Sequence, residues 1–240
     1  MSAEPEWGVD SEHGRLLDVL VCPPDNFRWL PTSAISRATL EAGHRFDADL
    51  AARQHAEMVA AYEAAGVGVH RLEPDPALPY QVFARDSSAM TQGGAVIGAG
   101  EARTQEQAAA QLAAWMAEDG WDVRVEPIPE RFVHIDVLIA VLAKRLVAVC
   151  AEALSGGVVA WLRDRGFELI EVSAEDAFDL GANAISLGAE RVLSIATAES
   201  LNAAMRAHGL TVQELDLSMF TLGGGGAHCL AQALRRERVG

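Results

Sequence analysis

Apolar residues recur at helical spacing in four segments of the chain, and each segment stops at a glycine before running into a stretch that reads as a strand. Asp49 to Ala65 places Ala51, His55, Met58, Val59 and Tyr62 on one face, ends at Gly66 and continues as a strand over Val67 to Leu72. Glu106 to Asp119 carries Leu112, Trp115 and Met116, ends at Gly120 and leads into the alternating stretch Asp122 to Ile128. Val158 to Arg165 ends at Gly166 before Phe167 to Val172, and Leu201 to His208 ends at Gly209 before Leu210 to Leu217. A glycine after the last helical turn adopts the left-handed conformation that lets the chain reverse into a strand. The pattern predicts an α/β fold built from repeats.

Each repeat then has a short second strand that holds the unusual residues: Val82 to Asp86, Phe132 to Asp136, Ala182 to Ile185 and Ala227 to Cys229. From the capping glycine the offsets are 20 residues to Asp86, 14 to His134, 17 to Asn183 and 20 to Cys229. Arranged about a central axis, these positions converge on one end of it. In an open α/β sheet the spacing is accidental, and periodicity alone does not choose between the two. The Pro-rich Leu72 to Pro79 is a loop too short to separate domains. A single domain over residues 1–240 is expected, with a flexible N-terminus over 1–15.

Charge narrows the partners. The 34 Asp and Glu against 19 Lys and Arg give a formal net charge of −15, with the cations thinly scattered. Nucleic-acid and anionic-membrane surfaces need clustered cations, so neither is expected. A small partner is expected, and a cationic one suits the charge. No apolar run is long enough to cross a bilayer, and the acidic N-terminus lacks the basic and apolar regions of a signal peptide. Cys22, Cys150 and Cys229 are an odd number with no Cys-x-x-Cys pair, which argues against a disulfide framework or a zinc site. A cytoplasmic protein with free thiols is expected.

Cys229 follows Gly223-Gly224-Gly225-Gly226-Ala227-His228. Consecutive glycines forgo packing, which suits a backbone that must approach something closely, and a thiol beside such a loop or a protonated histidine can become a nucleophile. The alternative is a small buried apolar residue after a flexible turn. Cys22 and Cys150 read as core thiols. His134 and Asp136 lie two apart, so on a strand they share a face, where a carboxylate orients a ring suited to proton transfer; a solvent-facing polar edge fits the segment equally well. Asp86 ends an apolar segment beside Arg85 and reads either as a binding carboxylate or as a turn residue. The histidines are not at ligand spacing, and Gly98-Ala99-Gly100 lacks the rest of a dinucleotide fingerprint, so no metal or cofactor is expected.

Taken in chain order, these elements resemble the guanidino-group-modifying (pentein) superfamily, which contains arginine deiminase, dimethylarginine dimethylaminohydrolase and the amidinotransferases. Phe83-Ala84-Arg85-Asp86 is similar to that family's Phe-x-Arg-Asp segment, His134-Ile135-Asp136 to its His-x-Asp segment, and Gly223 to Cys229 to its terminal Gly-rich His-Cys signature. Leu180-Gly181-Ala182-Asn183 also resembles a family segment. The resemblance implies Cys229 as nucleophile and His134 as acid/base. It implies Asp86 and Asp136 as guanidinium ligands, with Arg85, Phe83 and Asn183 beside the substrate and Gly224, Gly225 and Gly226 as the glycine loop. The implied activity is hydrolysis of a small cationic guanidino or amidino compound through a covalent thiouronium, with amine release. An acceptor amine in place of water would make the site an amidinotransferase. The sequence departs from the family in lacking its Glu-Gly-Gly-Asp segment, as though one repeat were excised between Ile97 and Gly98. The fold expected is therefore a pseudo-symmetric α/β propeller of ββαβ-type repeats with four units instead of the usual five, or a five-unit ring completed by a partner chain, which leaves homo-oligomerisation open. Loss of the family's catalytic Glu leaves a catalytically silent binding protein as the rival reading; Glu101, Glu126 and Glu130 are its possible substitutes.

Overall fold

The computed structural model describes residues 8–85, 88–91, 94–99, 106–118, 120–132 and 134–239. Strand β1 (Leu16–Val21) leads through helices α1 (Ala34–Glu41) and α2 (Ala48–Ala64) to β2 (Gly68–Arg71). Then come β3 (Ser88–Thr91), β4 (Gly94–Ala99), α3 (Glu106–Glu118) and β5 (Asp122–Pro127). The next stretch is β6 (Ile139–Ala143), β7 (Leu146–Val149), α4 (Gly156–Asp164) and β8 (Glu168–Glu171). After the short α5 (Ala174–Phe178) follow β9 (Ile185–Gly188), β10 (Arg191–Ile195), α6 (Glu199–Ala207) and β11 (Thr211–Leu215). A one-turn helix α7 (Ser218–Thr221) precedes β12 (Gln232–Arg236).

Among the described residues the strands form four three-stranded sheets of one design. A middle strand pairs antiparallel with one neighbour and parallel with the other: β4 with β3 and β5, β7 with β6 and β8, β10 with β9 and β11, and β1 with β12 and β2. The parallel partner always follows a helix, because a parallel pair needs a crossover long enough to return the chain. The glycines expected to end these helices do so with left-handed backbone: Gly66, Gly120, Gly166 and Gly209 have φ of +80°, +82°, +77° and +84°.

Most of the buried apolar side chains form one cluster, and β6 and β7 are buried at nearly every position. Each fully buried Leu or Ile there contributes about 1.5–3 kcal/mol. Helix α3 departs from its expected apolar face. Trp115 is 57% exposed and Leu112 39%, because the helix packs through Ala109, Ala113 and Met116 against Val123 in a small separate cluster. Residues 8–15, expected as part of a flexible N-terminus, are packed: Gly8 bridges Arg235, Ser11 and Glu12 are buried, and Arg236 Nη1 donates to Gly14 O at 2.8 Å. Among the described residues no helix is long and apolar enough to cross a membrane.

The second strands expected over Val82 to Asp86, Phe132 to Asp136, Ala182 to Ile185 and Ala227 to Cys229 are instead connecting segments, apart from Ile185, which opens β9; Asp86 and Val133 lie outside the described residues. Each segment immediately precedes the first strand of a sheet: β3, β6, β9 and β12. Strand β3 touches β6, β6 touches β9 and β9 touches β1, so the segments are delivered to one region by the packing of the strands that follow them.

Candidate active site

The other three segments meet around Cys229. The His134 to Asp136 segment is not a strand. His134 is extended (φ −143°, ψ 166°) and caps a 3-10 turn over Ile135–Val137, so Asp136 is aimed inward by a turn and not by strand alternation. Asn183 is delivered by a tight turn in which Leu180 takes a left-handed φ of 65° and its carbonyl accepts from Asn183 N at 2.9 Å. A buried leucine in that region is strained and persists because its surroundings over-determine it.

The glycine run has a steric purpose. A Cβ at Gly225 would strike the Phe83 ring, and one at Gly226 would lie 2.7 Å from Asn183 Oδ1. Phe83 is held by Phe27, ring centroids 5.4 Å apart and nearly perpendicular, and Phe27 stacks on Phe220 at 5.4 Å. These aromatic contacts fix the wall that the glycine backbone rests on. The result is a cavity of about 190 Å³ lined by Ser33, Tyr80, Phe83, Arg85, His134, Asp136, Gly223, Gly224 and Cys229.

Behind the cavity the polar groups are densely bonded. Asn183 Oδ1 accepts from the backbone N–H groups of His228 (3.0 Å) and Cys229 (3.3 Å). Its Nδ2 donates towards Asp136 Oδ2 (3.3 Å) and Cys229 Sγ (3.2 Å). Asp136 is 1% exposed. Its Oδ2 accepts from Cys229 Sγ at 3.3 Å and lies 3.0 Å from His228 Nδ1, while its Oδ1 is buried with no hydrogen-bond partner among the described residues. Arg85 donates from its backbone to Cys229 O at 3.2 Å, and its guanidinium pairs with Glu12.

Burial and the neighbouring Asp136 carboxylate push the Cys229 thiol well above its ordinary pKa, so in this arrangement it is a protonated donor. Burial works against Asp136 ionising, but bonds from His228 and Cys229 and the charges of His228 and His134 outweigh it, and its pKa is lowered. His228 is raised: burial and Arg85 oppose its charge, and Asp136 and Glu12 more than restore it. Cys22 and Cys150 are buried and raised chiefly by burial, as suits core thiols.

Of the residues singled out by sequence, Cys229, His134, Asp136, Arg85, Phe83 and Gly224 line one cavity. Asp86 and Glu101 lie outside the described residues. Asn183 does not line the cavity; it holds Asp136 and Cys229 from behind, as Gly225 and Gly226 hold the wall. Glu126 accepts from Ser155 Oγ at 2.8 Å ahead of α4, and Glu130 is exposed, so neither lines the cavity. Sequence reasoning passed over His228 and Glu12. The His-Cys dipeptide was a signal for the first; nothing local marks the second.

A family model described as N,N dimethylarginine dimethylhydrolase, eukaryotic, matches residues 103–236. The chain is 24% identical over 279 residues to the uncharacterized protein YkgA of Bacillus subtilis (strain 168), with 94% of each chain covered. It is 35% identical over 127 residues to N(G),N(G)-dimethylarginine dimethylaminohydrolase of Mycobacterium tuberculosis (strain ATCC 25618 / H37Rv), a match that spans 53% of this chain and 41% of that one. Among solved structures, the N-terminal domain of ArgZ, an arginine dihydrolase from the ornithine-ammonia cycle in cyanobacteria, has been seen bound to product and, in a variant, covalently bonded to a reaction intermediate. In both states it matches with a TM-score of 0.73 at 16% identity, covering 92% of this chain and 98% of that one, a likeness of fold.

Proposed function

Because the chain belongs to the N,N dimethylarginine dimethylhydrolase family, within the guanidino-group-modifying superfamily, we propose that it hydrolyses a C–N bond of a small cationic guanidino or amidino compound through a covalent adduct on Cys229. One observation carries the reading: Asp136 shares a cavity with Cys229 and His134, its Oδ2 is taken by the thiol, His228 and Asn183, and its Oδ1 is buried with no hydrogen-bond partner among the described residues. A buried carboxylate oxygen with no donor is costly, and a guanidinium N–H is the donor that also matches its charge.

The chemistry follows from that placement. The bound cation offsets the Asp136 charge and adds a positive charge beside the thiol, so substrate entry lowers the barrier to thiolate. His134 takes the thiol proton, and Sγ attacks the central carbon while the C=N electron pair moves onto nitrogen. The proton on His134 passes to the departing amine nitrogen as its C–N bond breaks, leaving an S-alkyl thiouronium. Water then gives a proton to His134 and its oxygen to the carbon; the C–S bond breaks, the hydroxyl proton of the adduct passes to the departing sulfur as the ureido product leaves, and His134 releases its proton to the amine or solvent. An acceptor amine in place of water makes the same adduct an amidinotransferase intermediate. Asp86 is proposed as the second carboxylate on the cation. With no replacement for the family's Glu among the described cavity residues, anchoring falls largely to Asp136, which points to a substrate other than free arginine.

We also infer that the four sheets are the units of a four-unit propeller. Four copies of one strand pattern support this, as does the alignment with YkgA: its 279 positions exceed the 240 residues here, so that relative has residues with no counterpart in this chain.

The test is incubation with a panel of guanidino and amidino compounds, reading ureido product, released amine and the mass of the Cys229 peptide. Wild type is expected to turn over at least one member with an adduct on Cys229, and Cys229→Ser to lose at least about a thousandfold in rate. Binding without product or adduct for every compound would make the protein a silent member.

A further inference from the structure

The reaction just described leaves a buried cluster of charge behind the nucleophile without a role. Glu12 is buried, with Arg85 on one carboxylate oxygen and, on the other, His228 Nε2 at 3.8 Å and Arg236 Nη2 at 3.9 Å. The far side of the same imidazole places Nδ1 3.0 Å from Asp136 Oδ2. One ring is thus flanked by a carboxylate at each nitrogen, at hydrogen-bond distance on Nδ1 and at ion-pair distance on Nε2, and its charge is matched on both sides only when both nitrogens carry hydrogen. The other charged or titratable groups beside it among the described residues are Arg85 and the Cys229 thiol, with Arg236 on the same Glu12 oxygen and His134 on the cavity side of Asp136.

Glu12 is presented by a built turn. Ser11 Oγ accepts from Gly14 N at 3.0 Å, and a side chain at Gly14 would strike Glu237 O. Arg236 Nη1 clamps the turn to the sheet by donating to Gly14 O at 2.8 Å and Ser186 O at 2.9 Å. An acidic side chain driven into the interior by these contacts is expensive unless its charge is matched there. Arg85 and His228 match it, and both adjoin the reacting thiol: Arg85 through its backbone bond to Cys229 O, His228 through the peptide bond.

We propose that Glu12 and His228 are a buried pair of positioning residues for the Cys229 reaction: Glu12 holds the His228 ring as an imidazolium, and that imidazolium fixes Asp136 Oδ2, leaving Oδ1 for the substrate. The proposal rests on the reading of Asp136 and Cys229 given above. It makes the N-terminal segment part of the catalytic apparatus without touching substrate. Removing the Glu12 charge leaves the ring beside the Arg85 guanidinium with only Asp136 to support its charge.

The test uses the full chain labelled with ¹⁵N-histidine, the His228 signal being assigned by its loss in His228→Asn. In wild type, both ring nitrogens of His228 are expected to stay protonated above the pH range of ordinary histidines, and in Glu12→Gln the midpoint moves down. A parallel pH series of iodoacetamide labelling at Cys229 reads the consequence: Glu12→Gln moves the profile along the pH axis and Glu12→Asp restores part of the shift, whereas a structural defect lowers the rate at every pH alike. A His228 that is neutral at pH 7 in wild type, or that titrates unchanged in Glu12→Gln, overturns the proposal. Should Glu12→Gln fail to fold, the wild-type titration and Glu12→Asp still decide it. No substrate enters either measurement, so failure here and failure of the hydrolase reading are separately visible.

Discussion

The carboxamide of Asn183 holds together the two groups on which the proposed chemistry depends. Its oxygen takes the backbone N–H groups of His228 and Cys229, and its nitrogen reaches Asp136 and the Cys229 sulfur. Truncation to alanine leaves two buried N–H groups without their acceptor, each worth about 1–3 kcal/mol when unmade, and takes one of three donors from Asp136 Oδ2. Asn183→Ala is therefore expected to destabilise the fold by at least that amount in urea denaturation and to slow iodoacetamide labelling of Cys229. A variant of unchanged stability would mean that water takes over its bonds. Reactive types at the end of a motif, such as Cys229 and His134, could be picked out from the sequence because their chemistry is local. The place of Asn183 could not, since a polar residue after an apolar segment looks the same whether it touches substrate or supports the residues that do. Glu12 was hidden more thoroughly: its partners Arg85, His228 and Arg236 are remote in sequence, and an acidic N-terminal stretch reads as solvated.

Among the elements, the glycines explain most of what the sequence disclosed and part of what it did not. Those that end helices before a reversal need positive φ, a local requirement written into the repeat, and all four carry it. The run before Cys229 answers to tertiary contacts instead. Gly225→Ala forces a methyl group into the Phe83 ring and is expected to cost about 1–3 kcal/mol by overpacking. Phe83→Leu in the same chain is expected to recover part of that loss, so the two changes combine to less than their sum in a double-mutant cycle. Full additivity would show that the loop moves away from Phe83. The period-two pattern of Phe132 to Asp136 was misleading for a related reason. Alternation suits a strand, but β6 begins only at Ile139, and bonds from Asn183, His228 and Cys229 hold Asp136 on a 3-10 turn.

Stability of the whole molecule should depend on pH with a maximum near the ordinary histidine range. His55 is buried against Phe220 with its pKa pushed down to about 4 by burial, aided by Arg71. A folded-state pKa below the unfolded value of about 6.5 means that unfolding takes up a proton, so stability falls as pH drops from 6.5 towards 4. His13 is lowered in the same sense, mainly by burial. Asp136 and Glu12, both lowered, add stability that is present above the unfolded carboxylate range of about 4 and is lost as pH falls below it. His228 has the opposite sign: its raised pKa gives stability that is complete below about 6.5 and is lost as pH rises through the folded value. Self-repulsion of a chain with net charge −15 grows in the same alkaline direction. Urea midpoints measured from pH 4 to 9 should therefore peak between the two limbs. In His55→Leu the acid limb between 6.5 and 4 should flatten while the alkaline limb is unchanged. Adding about 0.5 M NaCl screens exposed charges and should relieve only the repulsive part of the alkaline loss, leaving the part due to buried His228 and, above about 8.5, the part due to the raised thiols such as Cys229. An acid limb as steep in His55→Leu as in wild type would remove His55 from the account, and an alkaline limb abolished by salt would remove His228.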